Sequence, residues 1–385
     1  MIPISPFQRT RDLLRDHPEP ANLIDLSIGS PRHDTPSFIK KIIDDNFDKY
    51  ANYPSSKANI HFGENISFWL KKRYKINKVE PIDNILPVSG SREGLFYASL
   101  LATKIKKDKT IFILPDPFYP VYAAAADYTE KEIYSMSVSK EDNYFPNLDK
   151  IPKVILEKTI AFYLCSPSNP QGSIADENYL LKLYSLSLEY NFLIISDECD
   201  SEIYRNEAPK SILKISEKYD FKNVLSLNSL SKRSNAPGLR SGFVAGDKKL
   251  INELFNLRNV AAPTVPIPIQ IASEYLWSDE KHVIENRKLY NDKFDIFSKN
   301  INRDLNFEIP KGGFFAWLDI SKYGNDEDIT VKLWNSGIKV IPGSYLSINN
   351  KDVPDSKKYI RIALVGSTRE ISDAVDILNN IVKSI

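Results

Sequence analysis

The stretch Ser229-Leu230-Ser231-Lys232-Arg233-Ser234-Asn235-Ala236-Pro237-Gly238-Leu239-Arg240-Ser241-Gly242 decides how this chain is read. It follows the apolar run Val224–Leu227 and leads into a second one, Ser241–Ala245, so it reads as a loop between two strands. A lysine after a strand is ordinarily a solvated surface charge. Here Lys232 shares one short loop with Ser229, Ser231 and Arg240, the last carried on a Pro237-Gly238 turn. Two hydroxyls, an ammonium and a guanidinium on one loop make a phosphate-binding set. In a partly desolvated pocket a lysine also loses basicity and forms Schiff bases.

Outward from this loop, strand-like runs at Thr110–Leu114, Thr159–Cys165 and Phe192–Ser196 alternate with helix-like stretches. The helix-like stretches are Arg92–Ile105, Glu177–Leu188, Asp247–Leu257, Lys281–Asn300 and Arg369–Val382. Buried-looking strands alternating with helices predict an α/β fold, a mostly parallel sheet between helices. Towards the C-terminus the order changes to a long helix, then Gly313–Ile320, Ile338–Ile341, Tyr359–Leu364 and a last helix. That predicts a smaller α+β domain, to which the N-terminal arm returns. The expected division is 1–45 for the arm and part of the small domain, 46–275 for the large domain, and 276–385 for the small domain.

Ligands of open α/β sheets sit beyond the carboxyl ends of the strands. The polar segments at those positions are Asp116–Tyr119, Ser166–Gly172, Asp197–Asp200, Ser229–Lys232 and Gly238–Arg240. Asp197 is either a turn cap or a buried anion facing a cationic ring nitrogen. Asn169 alone reads as an ordinary Asn-Pro turn. Gly90-Ser91-Arg92-Glu93-Gly94 precedes a helix, where backbone N–H groups bind phosphate, although the same pattern makes a plain N-cap. It is no Walker loop, because the Gly-Lys-Ser/Thr ending is absent. Tyr119 could stack on a heteroaromatic ring or simply pack. Arg361 could grip a carboxylate bidentately or sit at an exposed strand edge. Cys165 and Cys199 read as buried core thiols.

Composition narrows the function classes. Lys plus Arg is 51 against 50 Asp plus Glu, so no basic excess points to nucleic acid. No apolar run approaches the roughly 20 residues of a membrane helix, and Met1 to Pro20 lacks the apolar stretch of a secretory signal. Two cysteines without paired spacing fit a reducing cytosol, and the four scattered histidines show no metal-ligand spacing. The expectation is a cytoplasmic protein without a metal, a membrane partner or a nucleic-acid partner.

Taken together, the motif at Ser229–Gly242 and the segments from Leu26-Ser27-Ile28-Gly29-Ser30-Pro31 to Arg361 resemble the class I/II aminotransferases of pyridoxal phosphate (PLP) fold type I. The match runs in order over nearly the whole chain. The resemblance implies that Lys232 forms the Schiff base with PLP and shuttles the proton. It implies that Asp197 pairs with the pyridinium, Asn169 contacts the phenolic oxygen and Tyr119 stacks on the ring. Backbone at Ser91 and Arg92, with the side chains of Ser229 and Arg240, would hold the phosphate. Arg361, helped by Asn169 and by backbone near Gly29, would take the α-carboxylate of small amino and oxo acids. Tyr53 resembles the tyrosine that reaches the neighbouring subunit's phosphate, which implies a homodimer.

Within the family, Val88–Phe96, Ser196–Tyr204 and the Ser-Lys-Arg-Ser-Asn motif are most similar to bacterial N-succinyldiaminopimelate aminotransferases of lysine biosynthesis. The resemblance thus implies a ping-pong transfer between glutamate/2-oxoglutarate and N-succinyl-LL-2,6-diaminopimelate. The alternatives are an aspartate, aromatic or acetylornithine-like aminotransferase, a β-lyase, or a non-catalytic PLP-binding protein. Two positions depart from the family pattern. Gln171 replaces the threonine of Asn-Pro-Thr-Gly. Asp200 replaces a tyrosine that donates to the cofactor's phenolic oxygen. An ionised Asp200 can only accept, so either it stays protonated as a donor or, as expected here, it turns away and leaves the donor's place to water.

Overall fold

The computed structural model describes residues 5–348 and 355–385; residues 1–4 of the expected arm and residues 349–354 lie outside the described residues. In chain order the strands are β1 (Ile24–Asp25), β2 (Ile85–Val88), β3 (Ile111–Asp116), β4 (Glu132–Ser137), β5 (Thr159–Cys165) and β6 (Leu193–Asp197). They continue as β7 (Val224–Ser229), β8 (Gly242–Gly246), β9 (Phe315–Asp319), β10 (Ile338–Lys339), β11 (Ile341–Pro342) and β12 (Tyr359–Ala363).

The main sheet has the order β2-β8-β7-β6-β5-β3-β4. From β7 to β4 every pairing is parallel, and only β8 runs against its two neighbours. The mostly parallel α/β sheet expected from the sequence is therefore present. Its strands are apolar on both faces because helices cover both. Side chains alternate across a strand. Ile111, Ile113, Phe162, Leu164, Ile194 and Phe243 accordingly enter one apolar cluster. Their chain neighbours Phe112, Leu114, Ala161, Tyr163, Ile195 and Val244 enter the other. Each fully buried large side chain contributes about 1.5–3 kcal/mol, which explains why these runs carry no polar break.

The five expected strands of this sheet are found within two residues of their expected ends. β2 and β4 were not foreseen. β2 is a four-residue edge strand whose short apolar run contains Pro87, which speaks against a strand, and β4 is a half-exposed edge without a continuous apolar run.

A third apolar cluster unites Leu26, Phe294, Phe297, Ala316, Leu318, Ile360, Ile362 and Leu378. It lies under the antiparallel sheet β11-β12-β9 and the small parallel pair β1-β10. The run Ile338–Ile341 was expected as one strand. It is split at Val340, because β10 pairs with the N-terminal β1 while β11 pairs with β12. The last helix, Thr368–Ser384, opens on a full capping box between Ser367 and Glu370.

Candidate active site

The carboxyl ends of β5, β6 and β7 carry Cys165, Asp197 and Ser229: Cys165 pairs with Asp197, Asp197 with Leu227, and Ser229 ends β7 two residues further on. Asp197 is buried. Its Oδ2 accepts from the Tyr122 hydroxyl at 2.8 Å and its Oδ1 from the Cys199 amide at 3.2 Å. No cation pairs with it among the described residues. Burial therefore raises its pKa, against those two hydrogen bonds. Cys165 and Cys199 were expected in the core; both are half-buried, and burial followed by the Asp197 charge raises both thiol pKa values.

Lys232 sits in the short helix Leu230–Arg233, which Ser229 caps by accepting from the Ser231 amide at 3.1 Å. Next to it, Arg233 is fully buried and donates to the carbonyl of Leu276 and the carboxylate of Glu280, both at 2.6 Å. The Lys232 ammonium lies 4.5 Å from the ring centroid of Phe314 and 5.8 Å from that of Phe315. Its Nζ donates to Asp200 Oδ1 at 3.1 Å. Asp200 is thereby turned towards the lysine nitrogen. A buried ammonium against aromatic walls needs a counter-charge, and Asp200 is the carboxylate within reach.

Arg361 projects from β12 and is buried. It donates to Asn169 Oδ1 at 3.2 Å and to the Ser27 carbonyl at 2.9 Å, and its Nε has no partner among the described residues. It lies 4.4 Å over the same Phe315 ring, and burial lowers its pKa to about 10. Gly29 passes so close to this ring that a Cβ there would come within 2.4 Å of Phe315. Lys232 and Arg361 therefore flank one aromatic ring, with Asn169 and the 27–29 backbone beside them.

The third part is the turn before the helix Ser91–Ile105, which no side chain caps. Its first amide N–H groups are therefore free to meet an anion. Gly90 has φ of 81°, and a Cβ there would lie 2.2 Å from Arg240 Nη2. Arg240 itself has φ of 51° and donates to the carbonyls of Pro237 (2.8 Å) and Ser89 (3.3 Å). Buried Arg258 braces the turn through Glu93, at 2.7 and 3.1 Å, while Glu93 accepts from the Ser89 amide at 3.0 Å. Arg92 donates through its side chain to the Tyr119 hydroxyl at 2.6 Å, and the Tyr119 ring stands edge-on to Tyr122.

Residues 21–378 match the family model of class I and II aminotransferases. The chain belongs to this family. It is 32% identical to an aminotransferase from Neisseria meningitidis, whose crystal structure superposes with a TM-score of 0.92 over 100% of this chain and 98% of that one. It is 30% identical to the aminotransferase AspB of Helicobacter pylori, with a TM-score of 0.91 over 100% of both chains. It is also 25% identical to an LL-diaminopimelate aminotransferase of Oleidesulfovibrio alaskensis, over 92% of this chain and 90% of that protein. Class I and II aminotransferases depend on PLP, and this chain is a PLP-dependent transaminase.

The residues present fit that cofactor. A buried carboxylate lacking a cation suits a protonated ring nitrogen. An uncapped helix start beside Arg240 suits a phosphate, and Lys232 suits an aldehyde. Sequence reasoning missed Tyr122, Asn286, Arg258, Phe314 and Phe315. Tyr122 follows Tyr119 by one helical turn, which is a local signal. Its partner Asp197 is distant in the chain, and only the sheet brings them together. Tyr53 lies apart from this cluster in the single chain. It is wholly exposed and makes no hydrogen bond to any described residue.

Proposed function

We propose that this aminotransferase moves an amino group between glutamate/2-oxoglutarate and a diaminopimelate-type amino/oxo acid, N-succinyl-LL-2,6-diaminopimelate, in lysine biosynthesis. The observation that carries the reading is the placement of Lys232 and Arg361 over one ring, Phe315, at 5.8 and 4.4 Å. An α-carboxylate taken by Arg361 and Asn169 brings its own Cα towards Lys232. The segments Val88–Phe96 and Ser196–Tyr204 support the succinylated substrate. Direct use of LL-diaminopimelate is the second reading, favoured by the name of the Oleidesulfovibrio relative.

When bound, PLP supplies an electron sink for chemistry at the substrate Cα. In this reading Lys232 anchors it and, once freed, moves the proton at Cα as general base and acid. Asp197, oriented by Tyr122, holds the ring nitrogen's proton. The 91–92 backbone, Ser229 and Arg240 hold the phosphate, Tyr119 covers the ring, and Asn169 meets its phenolic oxygen. Arg361, with backbone near Gly29, orients both substrates alike.

A homodimer completes the site with Tyr53. Its exposure, with that of Phe47 and Tyr50 on the adjoining turn Phe47–Ala51, supports a partner there. We place the enzyme in the cytoplasm. We assign residues 1–45 to the arm and part of the small domain, 46–275 to the large domain and 276–385 to the small domain.

The test is a screen of amino donors against 2-oxoglutarate, following glutamate. Turnover with N-succinyl-LL-2,6-diaminopimelate well above that with LL-diaminopimelate, aspartate and aromatic amino acids is expected. Preference for the free diaminopimelate selects the second reading, and preference for aspartate or aromatic donors removes both.

A further inference from the structure

Asp200 occupies a position where its oxygen has one charged neighbour in hydrogen-bond contact, Lys232 Nζ at 3.1 Å. Both side chains are largely shielded, with 8% of Asp200 and 19% of Lys232 exposed. The pair stands against apolar walls, Phe314 at 4.5 Å and Phe315 at 5.8 Å from the ammonium. In such a setting an ion pair is screened little, and removing one member leaves an uncompensated charge.

We propose that Asp200 is the built-in counter-ion of the Lys232 nitrogen, in the free ammonium and in the protonated Schiff base alike. This rests on the reading of Lys232 as the anchor of PLP. The condensation joins Nζ to the aldehyde carbon and expels one water. The nitrogen keeps one hydrogen and a positive charge as long as it stays protonated. A carboxylate beside it favours that charged form, whereas a hydroxyl donor aimed at the phenolic oxygen would favour loss of the proton. The pKa of the linkage is therefore raised in this enzyme.

The other groups around Asp200 do not reverse this. On β6 and the turn after it lie Asp197 and Cys199, and on β5 Cys165, whose pKa values are all raised in part by the Asp200 charge. Tyr290, on the helix Lys281–Asn300, is raised by burial and then by Asp200. From β12 the Arg361 guanidinium also feels Asp200, and burial dominates its shift. Asp200 also raises the Lys232 ammonium's own pKa against burial. The same charge therefore opposes the neutral amine that a general base must present.

Visible absorbance of the holoenzyme titrated with pH tests the proposal. The comparison is the natural protein against Asp200→Asn and Asp200→Tyr, with cofactor content and thermal melting checked for each. Both substitutions should lower the linkage pKa, by about 1–3 units for Asp200→Asn. An unchanged or higher pKa in either variant overturns the proposal. Should Asp200→Asn fail to retain cofactor, Asp200→Tyr decides alone by the same criterion. Borohydride reduction and peptide mapping separate this from the functional reading. A label on another lysine removes the anchor and the counter-ion together. A label on Lys232 with an unmoved titration removes only the counter-ion.

Discussion

Asn286 Nδ2 donates to the backbone carbonyl of Lys232 at 3.0 Å, and its Oδ1 accepts from Asn235 Nδ2 at 3.0 Å and from His33 Nδ1 at 2.8 Å. The chain continues, since Lys293 Nζ donates to His33 Nε2 at 2.6 Å and to the Val365 carbonyl at 3.2 Å. One buried amide thus ties the lysine-bearing turn to the helix Lys281–Asn300 and to the N-terminal arm. Asn286→Ala leaves several buried polar groups without partners, and should lower unfolding free energy by about 1–3 kcal/mol. A denaturant melt measures this, and a midpoint equal to the natural protein's would show that water replaces the amide.

Lys232→Ala should retain the fold, lose the borohydride-fixed pyridoxyl label and turn over at least about 10²-fold more slowly. Tryptic mapping and steady-state rates check the two halves. Full turnover by the variant would exclude Lys232 as the anchor.

Asp197→Asn keeps one oxygen to accept from the Cys199 amide, and its amide NH2 can donate to the Tyr122 hydroxyl, but the charge is removed. Rate should fall by about 10²-fold or more while melting changes little. Near-normal transamination would make Asp197 a structural group only.

Arg361→Ala should raise the KM of the amino donor and of the oxo acceptor alike, by an amount worth a few kcal/mol. Two unchanged KM values would reduce Arg361 to a tether for Ser27 and Asn169.

Lys293 is buried, and burial lowers its pKa to about 8. Below that pH both folded and unfolded chains carry its proton. Above it the folded chain has released the proton while the unfolded chain keeps it up to the ordinary lysine range. Stability contributed by this group therefore rises with pH from about 8 upwards, on the order of 1–3 kcal/mol. Lys293→Met should flatten that rise in melts across the window. An identical slope in both proteins would refute the assignment.

Local patterning made much of this protein legible. β5, β6 and β7 could be read because burial on both faces demands unbroken apolar runs, and the polar residues ending them mark where a ligand sits. The loop Ser229–Gly242 carried its chemistry in consecutive residues. Edge strand β4 lacks such a run, and Val340 hides the point at which one apolar run divides between two sheets. Only the tertiary structure could pair Tyr122 with Asp197, Asn286 with the Lys232 carbonyl, or Arg361 with Asn169. It also set Asp200 against the Lys232 ammonium, a pairing that spacing alone does not show. Sequence states which groups can accept or donate, but a buried charge takes the nearest opposite charge, and which one is nearest is set by how distant strands and loops pack.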